Sequence, residues 1–316
     1  MTKPIKISLI AGLIVLVAAV GFFIFYFRQK ISLLNNFDNF FPNSNQVILL
    51  LGQPGLEQYQ TDYNTDAIIL VYIDTKTESA NFIRIPRDLI VEINKRQYKI
   101  NSLYALGLKK ELLEKISDIS GFKVSHYVVF DLSLVKEIVD AIGGIDVDLK
   151  EPATDWASGF TLAPGVHHLD GKLAEFVIRD RFYPTGDFYR IHNQFLVFQA
   201  IKEKIEELPK TKLIGLIGII QASRRHYETN LEEYQILDFL TKIEKIKSDR
   251  FHDIIIDTNH NLLQAGSFRI YFGQIYYDNI YGLIPPFGIN HYAEIRNFIN
   301  DQINQSKQNN NEASST

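Results

Sequence analysis

The feature that most constrains this chain is an uncharged run near its N-terminus, residues 7–27. As an α-helix with a rise of about 1.5 Å per residue, the run would be roughly 31 Å long, which matches the hydrocarbon core of a bilayer. A cleaved signal peptide would need small residues at its end, whereas Gly21-Phe22-Phe23-Ile24-Phe25 is bulky there. A buried core helix is disfavoured by the four cations that flank the run, Lys3, Lys6, Arg28 and Lys30. We therefore predict a retained membrane-spanning helix.

The orientation of this helix is predicted from the lengths of its flanking segments, because the cations on its two sides balance. A short tail precedes the helix and a long domain follows it, and long domains translocate largely regardless of their charge. We expect residues 1–6 to be a short cytoplasmic tail and residues 7–27 to be the single transmembrane anchor. The main domain would then be extracytoplasmic, held at the cytoplasmic membrane.

Composition and charge exclude several classes of protein. The chain has 316 residues, 46% of them apolar, and no cysteine, which excludes a disulfide scaffold, a cysteine zinc site and a thiol nucleophile. Its formal charge of −4 combines +4 in residues 1–30 with −8 in the remainder. An acidic body of this kind is unsuited to bulk electrostatic binding of nucleic acid, so we predict no nucleic-acid partner.

The rest of the chain is predicted to form one mixed domain. Residues 28–45 have the composition of a juxtamembrane linker, residues 46–300 of a globular domain, and residues 301–316 of a disordered tail. Apolar runs rich in β-branched residues predict strands at 47–51, 67–73, 81–85, 127–130, 145–149 and 253–257. Periodic patterns predict helices at 110–119, 132–142, 170–179, 187–207 and 231–246. The expected fold class is mixed α/β (α+β), with a central, largely antiparallel or mixed sheet flanked by helices and preceded by the transmembrane helix.

Two polar side chains fall on the apolar face of the predicted helix 187–207. Extending its stripe (Val197, Phe198, Ile201, Ile205) backwards by helical steps reaches Gln194 and Arg190. Burying a charge there without a partner would destabilise the fold by an amount on the order of several kcal/mol. Because these residues lie near the positive end of the helix dipole, we expect this end to suit an anion.

Two further arginines precede this helix. Arg179 and Arg181 stand two positions apart, so they share a side only where the chain is extended, and Pro184 favours an end to the preceding helix nearby. Together with Arg190 they would supply guanidinium groups whose paired N–H donors match phosphate oxygens. The alternative is that the arginines form ordinary ion pairs with surface acids such as Asp180 and Asp187.

A second candidate cluster follows from the expected topology of the first three strands. If they form an antiparallel meander, Asp66 before the second strand and Arg87-Asp88 after the third share one edge of the sheet. Carboxylates beside an arginine at such an edge can hold Mg²⁺ and a phosphate together. Alternatively, Asp66 only ends a turn and Arg87 and Asp88 form an exposed pair. The sequence pattern leaves both possibilities open.

Taken together, these segments resemble the LytR-CpsA-Psr family of bacterial envelope enzymes. The resemblance runs in order from about residue 47 to 200, behind a single predicted anchor. The matching pieces are Val47-Ile-Leu-Leu-Leu-Gly52, Thr65-Asp66, Arg84-Ile-Pro-Arg87-Asp88, Lys99-Ile-Asn101-Ser-Leu-Tyr104-Ala105, Gly143-Gly-Ile-Asp-Val147, Leu169-Asp-Gly-Lys-Leu-Ala174 and the segment 179–194.

The resemblance implies transfer of a glycosyl phosphate from a polyprenyl-pyrophosphate-linked glycan to a hydroxyl of peptidoglycan. It also implies a hydrophobic tunnel for the prenyl chain, an arginine cluster on the pyrophosphate, and a bridging Mg²⁺ or Mn²⁺. By position, the substrate-binding and catalytic residues would be Arg87, Arg179, Arg181, Arg190 and Gln194, with Asp66 as the metal ligand. Asp88 is our candidate for the general base.

One departure from the family pattern bears on catalysis. The family usually has Asp where this chain has Pro54, which would weaken Mg²⁺ binding unless Asp62 or Asp88 compensates. Arginines frequent in the family are replaced by Asn64 and Asn193. A non-catalytic binder of the lipid carrier or of wall glycan is therefore the alternative hypothesis. A membrane-bound regulator is a third hypothesis, although no DNA-binding motif supports it.

Overall fold

A computed structural model describes residues 45–53, 64–131, 134–155, 158–180, 187–208, 227–232, 235, 239, 242–243 and 245–313. The predicted anchor (7–27), Pro54, Asp62 and Arg181 lie outside these ranges. Among the described helices, none has both the length and the apolar character needed to cross a bilayer. The anchor and the location of the protein therefore stay predictions.

In the described part of the chain, runs of successive strands are separated by helices. In chain order the strands are β1 Gln46–Gln53, β2 Ala67–Asp74, β3 Ser79–Arg84, β4 Ile90–Ile93, β5 Arg96–Lys99, β6 Tyr127–Asp131, β7 Ile145–Leu149, β8 Ala153–Asp155, β9 Phe160–Leu162, β10 Gly165–Leu169, β11 Tyr227–Thr229, β12 Phe251–Ile255, β13 Gln264–Phe272 and β14 Ile275–Ile284. The helices are α1 Ser102–Ala105, α2 Lys109–Ser120, α3 Leu134–Ile142, α4 Gly171–Arg179, α5 Asp187–Glu207 and α6 Ala293–Ala313, with a 3-10 turn at Ser248–Arg250. They fall into two compact units, which we call the sheet unit (Asn45–Val129 and Asp249–Thr316) and the helix unit (the described part of Phe130–Ser248).

The sheet unit contains the meander predicted from the sequence. Strands β1, β2 and β3 pair antiparallel, with Leu49 opposite Leu70 and Leu70 opposite Ile83. Strand β12 adds parallel to β3, and β6, which begins in this unit, lies beside β1. The apolar runs of β1 and β2 are almost wholly buried, as expected for strands covered on both faces. Of the two predicted forms, largely antiparallel or mixed, the central mixed sheet is confirmed.

Two hairpins of this unit were not predicted. Strands β4 and β5 are joined by Asn94 and Lys95, both with positive φ (51° and 63°), which is the geometry that a two-residue hairpin turn requires. Strands β13 and β14 form a longer antiparallel hairpin with an irregularity after Phe268. The helix predicted at 110–119 is confirmed as α2, which runs one residue further at each end and is followed by Gly121 in the left-handed region (φ 78°).

The predicted disorder after Asp301 is wrong as far as Ala313, because helix α6 continues to that residue. Ile295, Ile299 and Ile303 recur every four residues and are buried, so one apolar stripe anchors the helix beyond the predicted boundary. One turn later, Lys307 Nζ lies 2.9 Å from Asp74 Oδ2 at the end of β2. Because adding residues to an existing helix costs far less than starting one, the polar tail propagates from this anchored part.

The contact between Lys307 and Asp74 predicts a pH effect. Burial raises the pKa of Asp74, but hydrogen bonds from Lys307 and from backbone N–H groups outweigh it and hold the pKa below the ordinary value of 3.8. Ionised Asp74 therefore stabilises the fold above that pH, and the contribution is lost as the pH falls through the lowered pKa. Lys307→Ala should raise the pKa of Asp74, which ¹³C NMR titration of its carboxyl group would measure. An unchanged pKa relative to the exposed control Lys110→Ala would contradict the assignment.

The helix unit is built around α3, α4 and α5. Strands β7 and β10 pair antiparallel, with Ile145 opposite Leu169. The N-terminus of α4 is capped by Asp170, which accepts a hydrogen bond from the Leu173 N–H at 2.8 Å. A side chain at Gly171 would meet the Lys136 carbonyl oxygen of α3 at 1.9 Å, so glycine permits the close approach of the two helices. The predicted helices 170–179 and 187–207 are confirmed, whereas helix 231–246 is described at too few positions to test.

Candidate functional site

The sheet unit brings three of the predicted site residues together at one edge of the meander. Asp66 directly precedes β2, and its N–H donates to the Gly52 carbonyl at 2.7 Å. Arg87 and Asp88 follow β3 by three and four residues. The antiparallel topology predicted this juxtaposition, since the start of β2 and the end of β3 lie at the same edge of the sheet.

Their side chains form a row of alternating charge. The Arg87 Nη1 atom donates a hydrogen bond to Asp66 Oδ1, and Arg87 Nε lies 3.7 Å from Asp88 Oδ2. The Lys99 Nζ atom, from the end of β5, donates to Asp88 Oδ1 at 2.5 Å. We call Asp66, Arg87, Asp88 and Lys99 the charged row.

The charged row is only partly open to solvent. The four side chains keep 16%, 24%, 12% and 21% of their surface accessible, in the order in which they occur along the chain. Arg87 and Asp88 are therefore not an ordinary exposed pair, which was the alternative that the sequence left open. Partial burial strengthens the interaction of these groups with a bound ion, because water screens them less.

Lys99 is the member of the row that sequence reasoning missed as a site residue. It belongs to one of the motifs quoted above, but no pattern of spacing in the sequence relates it to Asp88. The signal lay in the segment 90–99, where Asn94-Lys95 forms a two-residue turn between the short strands β4 and β5. That hairpin pairs Lys99 with Ile90 and so returns the lysine to the chain just after Asp88.

Backbone hydrogen bonds fix the chain around the row. The Thr65 N–H and hydroxyl both donate to the Asn101 carbonyl, at 3.1 and 3.3 Å. The Asn101 N–H in turn donates to the Arg87 carbonyl at 3.4 Å. The segment before β2, the segment after β3 and the start of α1 are thus tied together, which preorganises the charged row. Among the described residues, no cluster of three or more His, Asp and Glu side chains is placed to hold a metal.

The helix unit positions two other predicted residues, Arg179 and Gln194. Arg179 is the last residue of α4, where Asp180 takes an extended backbone (φ −62°, ψ 134°), so the predicted end of the helix is confirmed. The Arg179 Nη2 atom lies 2.9 Å from Glu175 Oε1, one helical turn earlier. Within the described part of the chain, the buried Nε of Arg179 has no hydrogen-bond acceptor.

Helix α5 supports the end of α4 through two amide side chains. The Gln194 Nε2 atom donates to the Ile178 carbonyl, and the Asn193 Nδ2 atom donates to the Val177 carbonyl, each at 3.4 Å. These carbonyls belong to the last turn of α4, where helical partners are missing. Both amides are buried, so the predicted inward position of Gln194 is confirmed. Asn193, noted above as a departure from the family pattern, has this structural role.

Two predicted arginines, Arg181 and Arg190, lie wholly or partly outside the described part of the chain. Arg190 belongs to α5 by its backbone, but its side chain lies outside the described part, as does the whole of Arg181. Their roles, and the convergence of three guanidinium groups, stay predictions.

Comparison with known proteins identifies the family. Residues 28–278, which include every described element from β1 to β13, match the family described as LytR_cpsA_psr. The chain belongs to this family. The resemblance inferred from the ordered motifs is therefore confirmed, and the charged row lies within the matched region of this LytR_cpsA_psr protein.

Individual relatives agree with this assignment. The chain is 30% identical over 194 residues to the polyisoprenyl-teichoic acid–peptidoglycan teichoic acid transferase TagU of Bacillus mycoides. The alignment covers 60% of this chain and 62% of that protein, so it spans less than two thirds of the relative's length. Among solved structures, B. subtilis TagV (21% identity, TM-score 0.59) covers 84% of this chain and 99% of its own. TagT bound to LI-WTA (20% identity, TM-score 0.56) covers 85% and 92%. The structural likenesses show a shared fold.

Proposed function

We propose that this protein transfers a glycosyl phosphate from a polyprenyl-pyrophosphate-linked glycan to a hydroxyl group of peptidoglycan. The observation that carries the proposal is the charged row, in which Arg87 and Lys99 alternate with two carboxylates at the edge of the sheet. The family assignment and the transferase named TagU support the same reaction. The geometry offers what phosphoryl transfer requires, since the reaction depends on positioning and on neutralising developing charge rather than on a nucleophilic side chain.

The proposed reaction exchanges one phosphorus–oxygen bond for another. The acceptor oxygen bonds to the phosphorus that carries the glycan, the bridge of the pyrophosphate breaks, and polyprenyl phosphate leaves with the bonding electrons. The acceptor hydroxyl gives up its proton, for which Asp88 is the proposed base. Asp88 is held by Lys99 on one oxygen, while its second oxygen faces Arg87 at 3.7 Å. The carboxylate is thus fixed in orientation beside the group assigned to the phosphate.

We assign Arg87 to the pyrophosphate because its guanidinium is partly exposed and already binds a carboxylate. A phosphate oxygen could take the place of that carboxylate or bind the remaining N–H groups. By the same family pattern we assign Arg179, Arg181 and Arg190, with Gln194 as a further donor. Guanidinium forks suit this role because they bind two phosphate oxygens at once.

A divalent cation fits the charged row as a companion of the substrate. Mg²⁺ in enzymes of this type is commonly held by one or two carboxylates plus substrate phosphates, rather than by a protein cage. Asp66, partly exposed at the strand edge, provides such a carboxylate, and Mg²⁺ or Mn²⁺ is the proposed cofactor. When bound, the cation would neutralise charge on the pyrophosphate.

The proposed setting is the outer face of the cytoplasmic membrane. Residues 7–27 would anchor the protein there, where a polyprenyl-linked donor and peptidoglycan are both within reach. The proposed partners are these two substrates and the bilayer itself.

The alternative function, motivated by Pro54, is binding of the same lipid or glycan without chemistry. One assay separates the two functions: the purified full chain is incubated with Mg²⁺, a lipid-pyrophosphoryl glycan and peptidoglycan. Release of polyprenyl phosphate that depends on the acceptor supports the transferase. Saturable binding of the donor without any release would establish the binder instead.

A further inference from the structure

The hairpin of β13 and β14 has an unusual composition for an extended segment at the protein surface. Of the 21 residues in 264–284, 12 are apolar and only Arg269 and Asp278 are charged. These two charges face each other, with Arg269 Nε 3.3 Å from Asp278 Oδ1. Surface hairpins ordinarily have one polar face that contacts water. An exposed hairpin with so few charges indicates a surface that binds an apolar partner.

The apolar side chains near the turn are exposed. Ile275, Tyr276 and Tyr277 keep 57%, 43% and 44% of their surface accessible. We call the part of the hairpin next to its turn, residues 270–277, the distal hairpin. The register places Ile275 opposite Phe272 and Tyr277 opposite Ile270, so one face of the distal hairpin is formed by aliphatic and aromatic groups. Among large apolar side chains in the described ranges, most of the strongly exposed ones cluster in this hairpin, which makes it a patch rather than scattered surface residues.

The opposite face carries cations stacked on tyrosine rings. The Arg96 guanidinium lies 4.4 Å from the centre of the Tyr271 ring, and the Arg269 guanidinium lies 4.6 Å from that of Tyr276. Tyr98 meets the Tyr271 ring edge-on at 5.8 Å. A stacked guanidinium can still bind an anion in the plane of the group, and because Arg269 is already paired with Asp278, Arg96 is the arginine assigned to an anionic partner. The neighbouring Lys95, in the turn of the β4–β5 hairpin, adds a further positive charge.

The base of the hairpin is tied to the charged row. The Leu283 N–H donates to the Asp88 carbonyl at 3.0 Å, and Lys99 Nζ lies 6.0 Å from the centre of the Tyr281 ring. Whatever holds the distal hairpin therefore also fixes the distance of the charged row from that partner.

From these observations we propose that the distal β13–β14 hairpin docks into the interfacial region of an anionic lipid bilayer. Exposed aliphatic groups, tyrosines and a few cations in one place are the combination that this region accommodates. Lys95 and Arg96 complement anionic headgroups, although the body of the protein is acidic overall. A polar glycan would gain little binding energy from contact with the exposed aliphatic side chain of Ile275. The consequence for catalysis, that the charged row is held at headgroup level beside a lipid-linked pyrophosphate, rests on the proposed function, whereas the docking does not.

The chain has no cysteine, so a single reporter can be placed on the hairpin. Ile275→Cys, labelled with an environment-sensitive fluorophore, is reconstituted as the full chain into nanodiscs of phosphatidylglycerol and phosphatidylcholine. We expect a blue-shifted emission that a lipid-attached quencher suppresses and a water-soluble quencher does not. The matched control is Lys110→Cys on α2, whose side chain is 86% exposed, and its label should stay accessible to the aqueous quencher.

Charge is tested in the same background. Adding Arg96→Gln, or replacing the anionic lipid with phosphatidylcholine, should lower the ratio of inserted to solvent-exposed label, by about fivefold for the single arginine. A label at position 275 that stays water-exposed in anionic nanodiscs would overturn the proposal. So would a blue shift that appears without lipid and grows with protein concentration, because it would assign the patch to a second copy of the chain. None of these readouts depends on catalysis.

Discussion

Replacing Arg87 with alanine should lower kcat/KM for glycosyl-phosphate transfer by about 10²- to 10³-fold while the chain still folds. The Arg87 guanidinium lies between Asp66 and Asp88. Its loss removes hydrogen-bond donors for the substrate phosphate and the positive charge between the two carboxylates. The charged row would then carry one positive charge less, which disfavours binding of the anionic pyrophosphate. The measurement is the rate of polyprenyl phosphate release at several donor concentrations.

Two further variants make the Arg87 result specific. Arg87→Lys keeps the charge but not the paired N–H donors, so it should recover only part of the lost activity. Lys110→Ala removes one exposed positive charge elsewhere in the same unit and should leave kcat/KM unchanged. Wild-type turnover in a folded Arg87→Ala protein would remove the charged row from the mechanism.

Asp253→Ala should destabilise the protein by about 3–5 kcal/mol, because it removes a carboxylate that accepts a hydrogen bond from the buried Arg84 guanidinium. Arg84 keeps only 1% of its side-chain surface accessible, and its Nε donates to Asp253 Oδ1 across the parallel pair of β3 and β12. Arg84 belongs to the same motif as Arg87, yet the structure gives it this buried, structural role. Urea unfolding of the full chain in detergent measures the change.

Matched variants separate burial from charge in that result. Arg84→Met combined with Asp253→Leu removes both charges and should recover much of the lost stability, since apolar pairs often replace buried ion pairs at little cost. Asp278→Ala breaks an exposed Arg–Asp pair and should cost less than about 1 kcal/mol. Equal losses for Asp253→Ala and Asp278→Ala would show that burial of Arg84 does not determine the effect.

The core strands and the edge cluster could be predicted from sequence because their signals are local. Continuous apolar runs identified β1 and β2, and antiparallel geometry alone then placed Asp66 beside Arg87. The burial of Gln194 followed from helical periodicity, although the pattern did not show that its amide binds the end of α4. In these cases a short-range rule and the tertiary structure agree.

Other features depend on a weakly marked turn or on contacts between distant parts of the chain. Lys99 reaches Asp88 only because the β4–β5 hairpin folds back, and its turn lacks the glycine that usually marks such hairpins. Helix α6 extends through a polar tail because Lys307 meets Asp74, more than 200 residues earlier in the chain. The β13–β14 segment is rich in tyrosine and isoleucine, but its composition does not show that the Tyr271 ring packs on Tyr98 of β5.

The central claim is that one phosphorus atom of the donor moves with the glycan while the other stays with the lipid. It is tested most directly by giving the full chain, with Mg²⁺ and peptidoglycan, a lipid-pyrophosphoryl glycan labelled with ³²P only in the phosphate next to the sugar. We expect the label to enter peptidoglycan as a phosphodiester and unlabelled polyprenyl phosphate to be released. Label that stays entirely with the lipid, while donor is bound or glycan is transferred, would contradict it.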